Sequence, residues 1–308
     1  MYIGKVNIIT RLMRFSGHET FSCRANWLNK GVKLCMLRST QTIDFTTSEA
    51  FVNLGVGKNM SMSIRFWLEA FGLIRADEGG ESLQDRLDSE VTQLFYGDEN
   101  DSVFDPYLED PITIWYLHYK LVTSKYAGIY YFFFCHFIPR KATDGFTEDE
   151  LLNSLRSYLR KNELSVPSDN TLMNDFSVFI DMYSVKKNVK DDLDEVASNI
   201  LQPLEILIRP DVSRIKNSTF LVNRSVTERI PLELLAYLFS SELGKGASKS
   251  MDFLLEEYGR PFLFNRNSFH LKIEHLVDNY PNHFVLATSK RTGIAELQVL
   301  EMFKLVKE

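Results

Sequence analysis

Residues Ser48–Leu73 read SEAFVNLGVGKNMSMSIRFWLEAFGL, and this stretch decides the fold that we predict for the N-terminal half of the chain. Ser48 is suited to cap a first helix, and the glycines at 55 and 57 permit the backbone of a tight turn. A second helix is expected to begin near Asn59 and to end before Gly72, which favours the left-handed position past a helix end. Helix, turn and helix in this order predict a helix-turn-helix.

The second helix has one apolar stripe at helical spacing, formed by Met60, Ile64, Trp67, Leu68 and Phe71. The opposite, early face carries Lys58, Asn59, Ser61, Met62 and Arg65. A recognition helix presents such a face to a DNA groove, so we predict that Lys58 meets phosphates while the other four face the bases. Helix pairs of this kind also occur in helical cores that never contact DNA, and that alternative stays open.

The segment Gly55–Lys58 (GVGK) also resembles the end of a phosphate-binding loop. Such a loop needs an earlier glycine, a Ser or Thr after the lysine and a preceding buried strand. Here the first glycine position is not occupied by glycine, Asn59 follows the lysine, and the upstream residues favour a helix. We therefore do not predict a nucleotide loop at this position.

Length and composition describe a globular protein of two or three units. The chain has 308 residues, of which 44% are hydrophobic and 25% are charged. The longest apolar run, Ile129–Ile138, is too short to cross a bilayer, which takes about 20 residues. The N-terminus shows no secretory pattern, and the three cysteines have no metal or disulfide spacing, so we expect a cytoplasmic protein with reduced thiols.

Charge is segregated along the chain, although the net charge is only −6. Residues 1–65 include nine basic and three acidic residues, whereas residues 66–110 include thirteen acidic residues and two arginines. The negative net charge argues against a generally basic nucleic-acid binder, since affinity for phosphates grows with the number of cationic side chains. A polarised module suits either a one-sided groove contact or a protein partner of matching charge.

Three ordered motifs carry a resemblance to a known family: FSGHETF at 15–21, LGVGKNMSMSIRFW at 54–67 and DPYLED at 105–110. Together they resemble the bacterial domain-of-unknown-function family numbered 4007. The resemblance implies a winged-helix protein without an assigned activity. It also implies a gene in a phage-defence island, often beside genes for DNA sulfur modification (phosphorothioation).

The pair His18–Glu19 within FSGHETF has several interpretations. Adjacent residues on a strand point to opposite faces, which disfavours joint catalysis, and Ser22 stands where a zinc-binding HExxH motif needs its second histidine. The favoured interpretation is structural, with the pair holding a turn against the helix-turn-helix. The functional alternative is a phosphate contact, so His18 and Arg24 join the candidate DNA-binding residues.

The segment after the second helix predicts a β-wing. Leu73–Ile74 and Val91–Thr92 are candidate strands, and Gly79–Gly80 offers a hairpin turn. Acidic side chains crowd this segment, and phosphates would repel them. Contact of the wing with DNA is therefore not expected.

The acids of DPYLED permit a metal site in principle. Asp105, Glu109 and Asp110 could bind Mg²⁺ for a nuclease, but no convergent set of further ligands follows them. The alternative is that Asp105 caps a helix with Pro106 at its first position, and that Asp110–Pro111 begins the next helix. We predict no metal and no cofactor.

The remaining chain predicts a buried hub and a C-terminal half. Thr113–Phe137 is almost continuously apolar and aromatic, which indicates one or two core helices. The turn-rich 139–145 favours a boundary, giving an N-terminal winged-helix-like module with its hub (1–138) and one or two further helical or winged-helix-like units (139–308). Helices are expected at 232–243, 250–258 and 268–279, a strand at 284–288 and a last helix within 295–307.

Together these patterns predict a mainly α fold with small β-wings, built as tandem winged-helix-turn-helix-like modules around a helical hub. The expected function is a non-enzymatic subunit that binds or senses double-stranded DNA in a bacterial anti-phage or DNA-modification system. The alternative is an adaptor that docks onto a modification enzyme or nuclease encoded nearby. A metal-dependent nuclease is the third hypothesis.

Overall fold

The structure is a computed structural model of the chain. It describes residues 13–37, 44–75, 81–88, 105, 107–184, 199–209, 218–288 and 293–305. The chain divides into two compact units, unit 1 up to Asn223 and unit 2 from Arg224 onward. The described residues are mainly helical with two small antiparallel sheets, which confirms the predicted class at that level.

Unit 1 consists mostly of helices. They are α1 (Ala25–Met36), α2 (Ser48–Leu54), α3 (Lys58–Ala70), the short α4 (Leu83–Arg86), α5 (Pro111–Thr123), α6 (Gly128–Phe132), α7 (Glu148–Lys161) and α8 (Asp169–Tyr183). A π-helical turn, Phe133–Phe137, continues α6. The strands β1 (Gly145–Phe146), β2 (Leu207–Ile208) and β3 (Phe220–Val222) form a sheet in the order β1-β3-β2.

The helix ends follow the local sequence. Thr47, one residue before the expected Ser48, caps α2 with its side chain accepting a hydrogen bond from the Ala50 N–H. Asp110 caps α5 with Pro111 at the first helical position, as the sequence predicts. Thr147 and Glu150 form a reciprocal capping box at the start of α7.

The predicted hub is an aromatic core. Phe133 lies 4.7 Å from Phe179 and 5.0 Å from Phe146 between ring centroids, so the turn after α6 packs against α8 and β1. His118 of α5 is fully buried, and its Nδ1 lies 2.8 Å from the Tyr183 hydroxyl. His118 is therefore part of the aromatic core.

The favoured boundary at 138/139 lies inside unit 1. Immediately beyond it, β1 pairs with β3, and Phe146 packs on Phe137 and on Phe220. The hub therefore buries its aromatic surface against residues that follow the turn. The division of the chain falls at 223/224 instead.

The predicted β-wing is only partly visible. Ile74 forms an antiparallel bridge with Leu87, after the short helix α4. Two backbone hydrogen bonds flank it, from Arg75 N–H to Arg86 O at 2.7 Å and from Asp88 N–H to Leu73 O at 3.0 Å. The expected partner strand Val91–Thr92 and the turn Gly79–Gly80 lie outside the described residues.

Unit 2 has a helix, a strand, two helices and two strands in order. These are α9 (Leu232–Leu243), β4 (Ser248–Ser250), α10 (Met251–Leu254, continued by a π-helical turn to Gly259), α11 (Arg266–Asn279), β5 (Phe284–Thr288) and β6 (Ala295–Val299). The sheet order is β4-β6-β5. The three helices predicted in this unit and the strand predicted at 284–288 are confirmed. The helix expected within 295–307 is wrong, because Leu297 and Val299 are buried in the strand β6.

Within the described part of the chain, no helix combines the length and hydropathy that spanning a bilayer requires. Cys23 and Cys35 are buried and unpaired with other cysteines, and Cys135 is half-buried. Burial raises the pKa of the Cys35 thiol to about 12, so this side chain stays protonated and acts as a small apolar core residue.

Candidate nucleic-acid interface

The turn between α2 and α3 has the predicted geometry. Gly55 adopts φ 65° and ψ 38°, the left-handed conformation that glycine reaches without strain. Gly57 is the N-cap of α3, and having no side chain it cannot accept from the first helical N–H groups. The positive end of this 13-residue helix therefore opens at the surface.

The first turn of α3 exposes two of the seven candidate residues, Lys58 and Asn59. Met62, one turn further on, is half-buried. Lys58 and Asn59 belong to the turn whose N–H groups have no intrahelical acceptor. A lysine, an amide and open backbone donors are groups that contact phosphates and base edges in protein–DNA complexes.

Ser61 and Arg65 are not available as the sequence predicts. Ser61 is fully buried, and its hydroxyl donates a 2.6 Å hydrogen bond to Phe45 O. Arg65 is half-buried, and its Nε donates to Glu69 Oε1 at 3.2 Å. The two corrections have separate reasons: the Phe45 backbone covers the side of α3 that carries Ser61, and Glu69, one turn further along the same helix, holds Arg65.

His18 is a core residue rather than a surface ligand for phosphate. It is 3% exposed, and its Nε2 lies 2.9 Å from Asp175 Oδ1 on α8. The ring stacks at 6.0 Å on Trp67 and meets Phe66 edge-on at 5.6 Å. The structural interpretation of His18 is therefore correct, and a direct phosphate contact is excluded by burial.

The hydrogen bonds of His18 indicate its tautomer. Nδ1 accepts from the Thr20 N–H at 3.2 Å, so the ring proton is on Nε2 and is donated to Asp175. The same oxygen of Asp175 accepts from the Ser16 N–H at 2.8 Å. The buried carboxylate of Asp175, which follows His18 by 157 residues in the chain, thus fixes the FSGHETF turn to α8.

The turn itself has an unusual backbone. Ser16, Glu19 and Thr20 have φ values of 64°, 49° and 68°, each in the left-handed region that side chains with a Cβ disfavour by about 1–2 kcal/mol. A Cβ on Gly17 would approach Phe66 Cδ2 to 2.4 Å, so only glycine fits there. The contacts with α3 and α8 compensate this strain.

Arg24 is the N-cap residue of α1. Its guanidinium is 5.7 Å from the Trp27 ring centroid, and its backbone bridges to Asn199. The side chain is half-buried. A phosphate contact by Arg24 remains a prediction.

The sequence analysis did not predict a buried cluster of charged side chains that joins α3 to α4. Glu69 and Arg86 are each 2% exposed in the side chain and are joined by a 2.7 Å Nη2–Oε1 contact. Arg65 binds the same Oε1, and the Tyr126 hydroxyl donates to Oε2. Burial and then the Glu69 carboxylate raise the pKa of Tyr126, so its phenol stays protonated and donates. The spacing of Arg65 and Glu69 on one helix face was the available signal.

The acids of DPYLED do not converge. Asp105 is 5% exposed, and its two oxygens accept from the N–H groups of Glu109 (3.1 Å) and Asp110 (2.8 Å). The Asp110 carboxylate accepts from the Ile112 N–H. Within the described ranges, no group of three or more His, Cys, Asp or Glu side chains is arranged to hold a metal ion. The capping alternative agrees with the structure for Asp110, which caps α5. Asp105 instead holds a turn, because the described residues 107–110 are not helical; Pro106 lies outside the described residues.

Comparison with known proteins gives one family and a fold. The model of a family described as "Protein of unknown function (DUF4007)" matches residues 15–307. No curated protein matches the chain. Two solved structures are similar, described as "SspB crystal structure" and "Magnesium ion-bound SspB crystal structure". Each is 22% identical with a TM-score of 0.73; the first comparison covers 96% of this chain and 86% of the other, the second 95% and 85%.

Proposed function

Because the chain belongs to this family of unknown function, which spans nearly all of it, we propose its function from its own surfaces. We propose that it is a non-enzymatic, cytoplasmic subunit that binds or senses double-stranded DNA in a bacterial anti-phage or DNA-modification system. The observation that carries the proposal is the uncapped first turn of α3, with Lys58 and Asn59 exposed on it. The defence or modification context rests on the three motifs alone.

We infer that α2 and α3 act as the helix-turn-helix of a winged-helix-like module. In this arrangement the N-terminal residues of the second helix enter the major groove. Lys58 meets a phosphate, while Asn59 reads a base edge, a contact worth about 1–3 kcal/mol of discrimination when bidentate. Met62 lies beside them and offers apolar contact to a base.

The DNA proposal predicts a change in salt dependence. Lys58→Ala should weaken duplex binding and reduce the slope of log K against log salt by about 0.9, because one phosphate contact is lost. Asn59→Ala should weaken binding to the preferred sequence more than to others. Arg65→Ala should have a smaller effect than Lys58→Ala, since Glu69 holds its guanidinium. A salt-titrated mobility-shift assay with the full chain measures each.

Lys245→Ala is the matched control, because this lysine is exposed, lies in unit 2 and pairs with Glu301. Its binding should equal that of the unmodified chain. If Lys58→Ala binds the duplex as tightly as the unmodified chain at every salt concentration, α3 does not contact the DNA.

A specific observation also favours the adaptor function. We infer that unit 2 is a winged-helix-like module, from its order of elements and its β4-β6-β5 sheet. Its third helix, α11, exposes Leu271 (57%) together with the acids Glu274 and Asp278. Leu271 and Ile294 line a groove of about 590 Å³ that also contains Met251 and Leu255. An apolar groove beside acids suits a protein partner better than phosphates.

The adaptor function predicts separable surfaces. Leu271→Asp and Ile294→Asp should weaken capture of the products of adjacent genes by about 30-fold, as loss of a central apolar contact does. Duplex binding should persist in both variants, and Lys58→Ala should leave capture intact. Co-purification from cells expressing the neighbouring genes measures this. Equal capture by all variants would contradict a docking role for α11.

The magnesium ion named for one solved relative belongs to that protein. A magnesium site needs one or two free carboxylates with room for water. Here Asp105 and Asp110 are occupied by backbone N–H groups. The two described aspartates of DPYLED therefore do not fit a magnesium ion.

A further inference from the structure

A groove in unit 1 is lined by positively charged side chains. This groove of about 540 Å³ lies between the segment that follows α6 and the helix α7. Arg140, Lys141 and Lys161 line it, and no acidic side chain does. For a chain of net charge −6, three cations around one groove are a local excess that favours an anionic ligand.

The three cations are placed differently. Arg140 and Lys161 are exposed, so their charged groups are free to move toward a ligand. Lys141 is more enclosed, with 18% of its side chain exposed, and its Nζ lies 3.1 Å from Glu150 Oε2 at the rim. The same Nζ lies 5.4 Å from the centroid of the Phe137 ring, a cation–π contact that holds the ammonium beside the groove.

An aromatic wall stands beside the cations. The His136 and Tyr158 rings lie 4.7 Å apart at 34°, and Phe132 packs 5.1 Å behind Tyr158. His136 and Tyr158 are half-buried, so part of each ring faces the groove. His136 belongs to the π-helical turn, a feature that often marks functional sites. Burial raises the pKa of Tyr158, so its hydroxyl stays a hydrogen-bond donor.

We propose that this groove binds a nucleotide, with its phosphate on Arg140, Lys141 and Lys161 and its base against His136 and Tyr158. Ser157, one residue before Tyr158 on α7, also lines the groove; its hydroxyl donates to Asn153 O at 2.9 Å and can accept a hydrogen bond from the sugar. The volume falls within the range of small-molecule sites, about 300–1,000 Å³. The same chemistry is offered by a free nucleotide and by the phosphorylated end of a DNA strand. The proposal does not depend on DNA binding by α3.

The test measures binding to the full chain by calorimetry. The three ligands are deoxyadenosine monophosphate, orthophosphate and a 5′-phosphorylated single-stranded oligonucleotide. Arg140→Ala and Lys161→Ala should each weaken the monophosphate about tenfold, the size of one charged hydrogen bond. Tyr158→Leu should weaken the monophosphate about fivefold or more but leave orthophosphate unchanged, because only the base stacks. Lys249→Ala, an exposed lysine of β4, is the control and should bind normally.

Each outcome decides the proposal. Tighter binding of the oligonucleotide, with the same sensitivity to Arg140→Ala, would identify a strand end as the ligand; equal or weaker binding would identify the free nucleotide. Absence of monophosphate binding at about 1 mM would overturn the proposal. So would full affinity in the cation variants, or orthophosphate binding as tightly as the monophosphate. Tryptophan fluorescence verifies the fold of the Arg140, Lys161 and Tyr158 variants, because Trp27, Trp67 and Trp115 lie in unit 1 with these residues.

Discussion

Glu69→Ala should lower the free energy of unfolding of unit 1 by about 3–5 kcal/mol. The substitution leaves Arg86 buried, with 2% of its side chain exposed and without its carboxylate partner. It also takes away the acceptor of the Tyr126 hydroxyl and the partner of Arg65. An unpaired buried cation is far more costly than the loss of a surface ion pair.

Urea denaturation followed by tryptophan fluorescence measures this effect in unit 1 alone, since that unit contains all three tryptophans. The pair Glu69→Leu with Arg86→Met is the informative control, because it replaces two charges by apolar groups of similar size. Its cost should be smaller than the sum of the single substitutions. A loss below about 1 kcal/mol for Glu69→Ala would show that the Arg86 charge finds another partner.

Asp175→Ala should destabilise unit 1 by about 2–5 kcal/mol, because two buried donors lose their acceptor at about 1–3 kcal/mol each. The donors are the Ser16 N–H and the Nε2–H of His18, both bound to Asp175 Oδ1. The strained FSGHETF turn would then lose its tie to α8. The same denaturation experiment reads the result.

Asp175→Asn separates hydrogen bonding from charge. An amide oxygen still accepts both donors, so this variant should retain most of the stability that alanine loses. That expectation follows from a neutral His18 with its proton on Nε2. Equal losses for asparagine and alanine would contradict it and would indicate a positively charged ring.

The sequence predicted the local elements well, because their signals are local. The turn at Gly55, the Asp110–Pro111 helix start and the aromatic hub all agree with the structure. The last segment was misassigned for a local reason too: Ala295, Leu297 and Val299 alternate with polar residues, a period of two that favours a strand.

The candidate site was predicted only in part, because helical periodicity assigns one face to the core and cannot show what covers the others. The pairing of Arg65 with Glu69 could have been found from their spacing of four residues. Phe45, 16 residues earlier in the chain than Ser61, accepts the Ser61 hydrogen bond, a contact that spacing within the helix does not reveal. The boundary at 138/139 failed for the same reason. A turn-rich segment looks alike whether it links two units or lies within one, and the pairing of β1 with β3 bridges about 75 residues.

The ties between the first and last parts of unit 1 have a consequence for synthesis. Ser22 and Asn199 are 177 residues apart, and their side chains share a 2.8 Å hydrogen bond. At about 5–20 residues per second, the ribosome delivers the later partner roughly ten to thirty seconds after the earlier one. The aromatic side chains of Phe146 and Phe176 also wait for their later partner Phe220 and stay partly exposed until it arrives. We expect a chaperone to occupy them, and we expect messages truncated before codon 200 to yield only fragments that proteases remove.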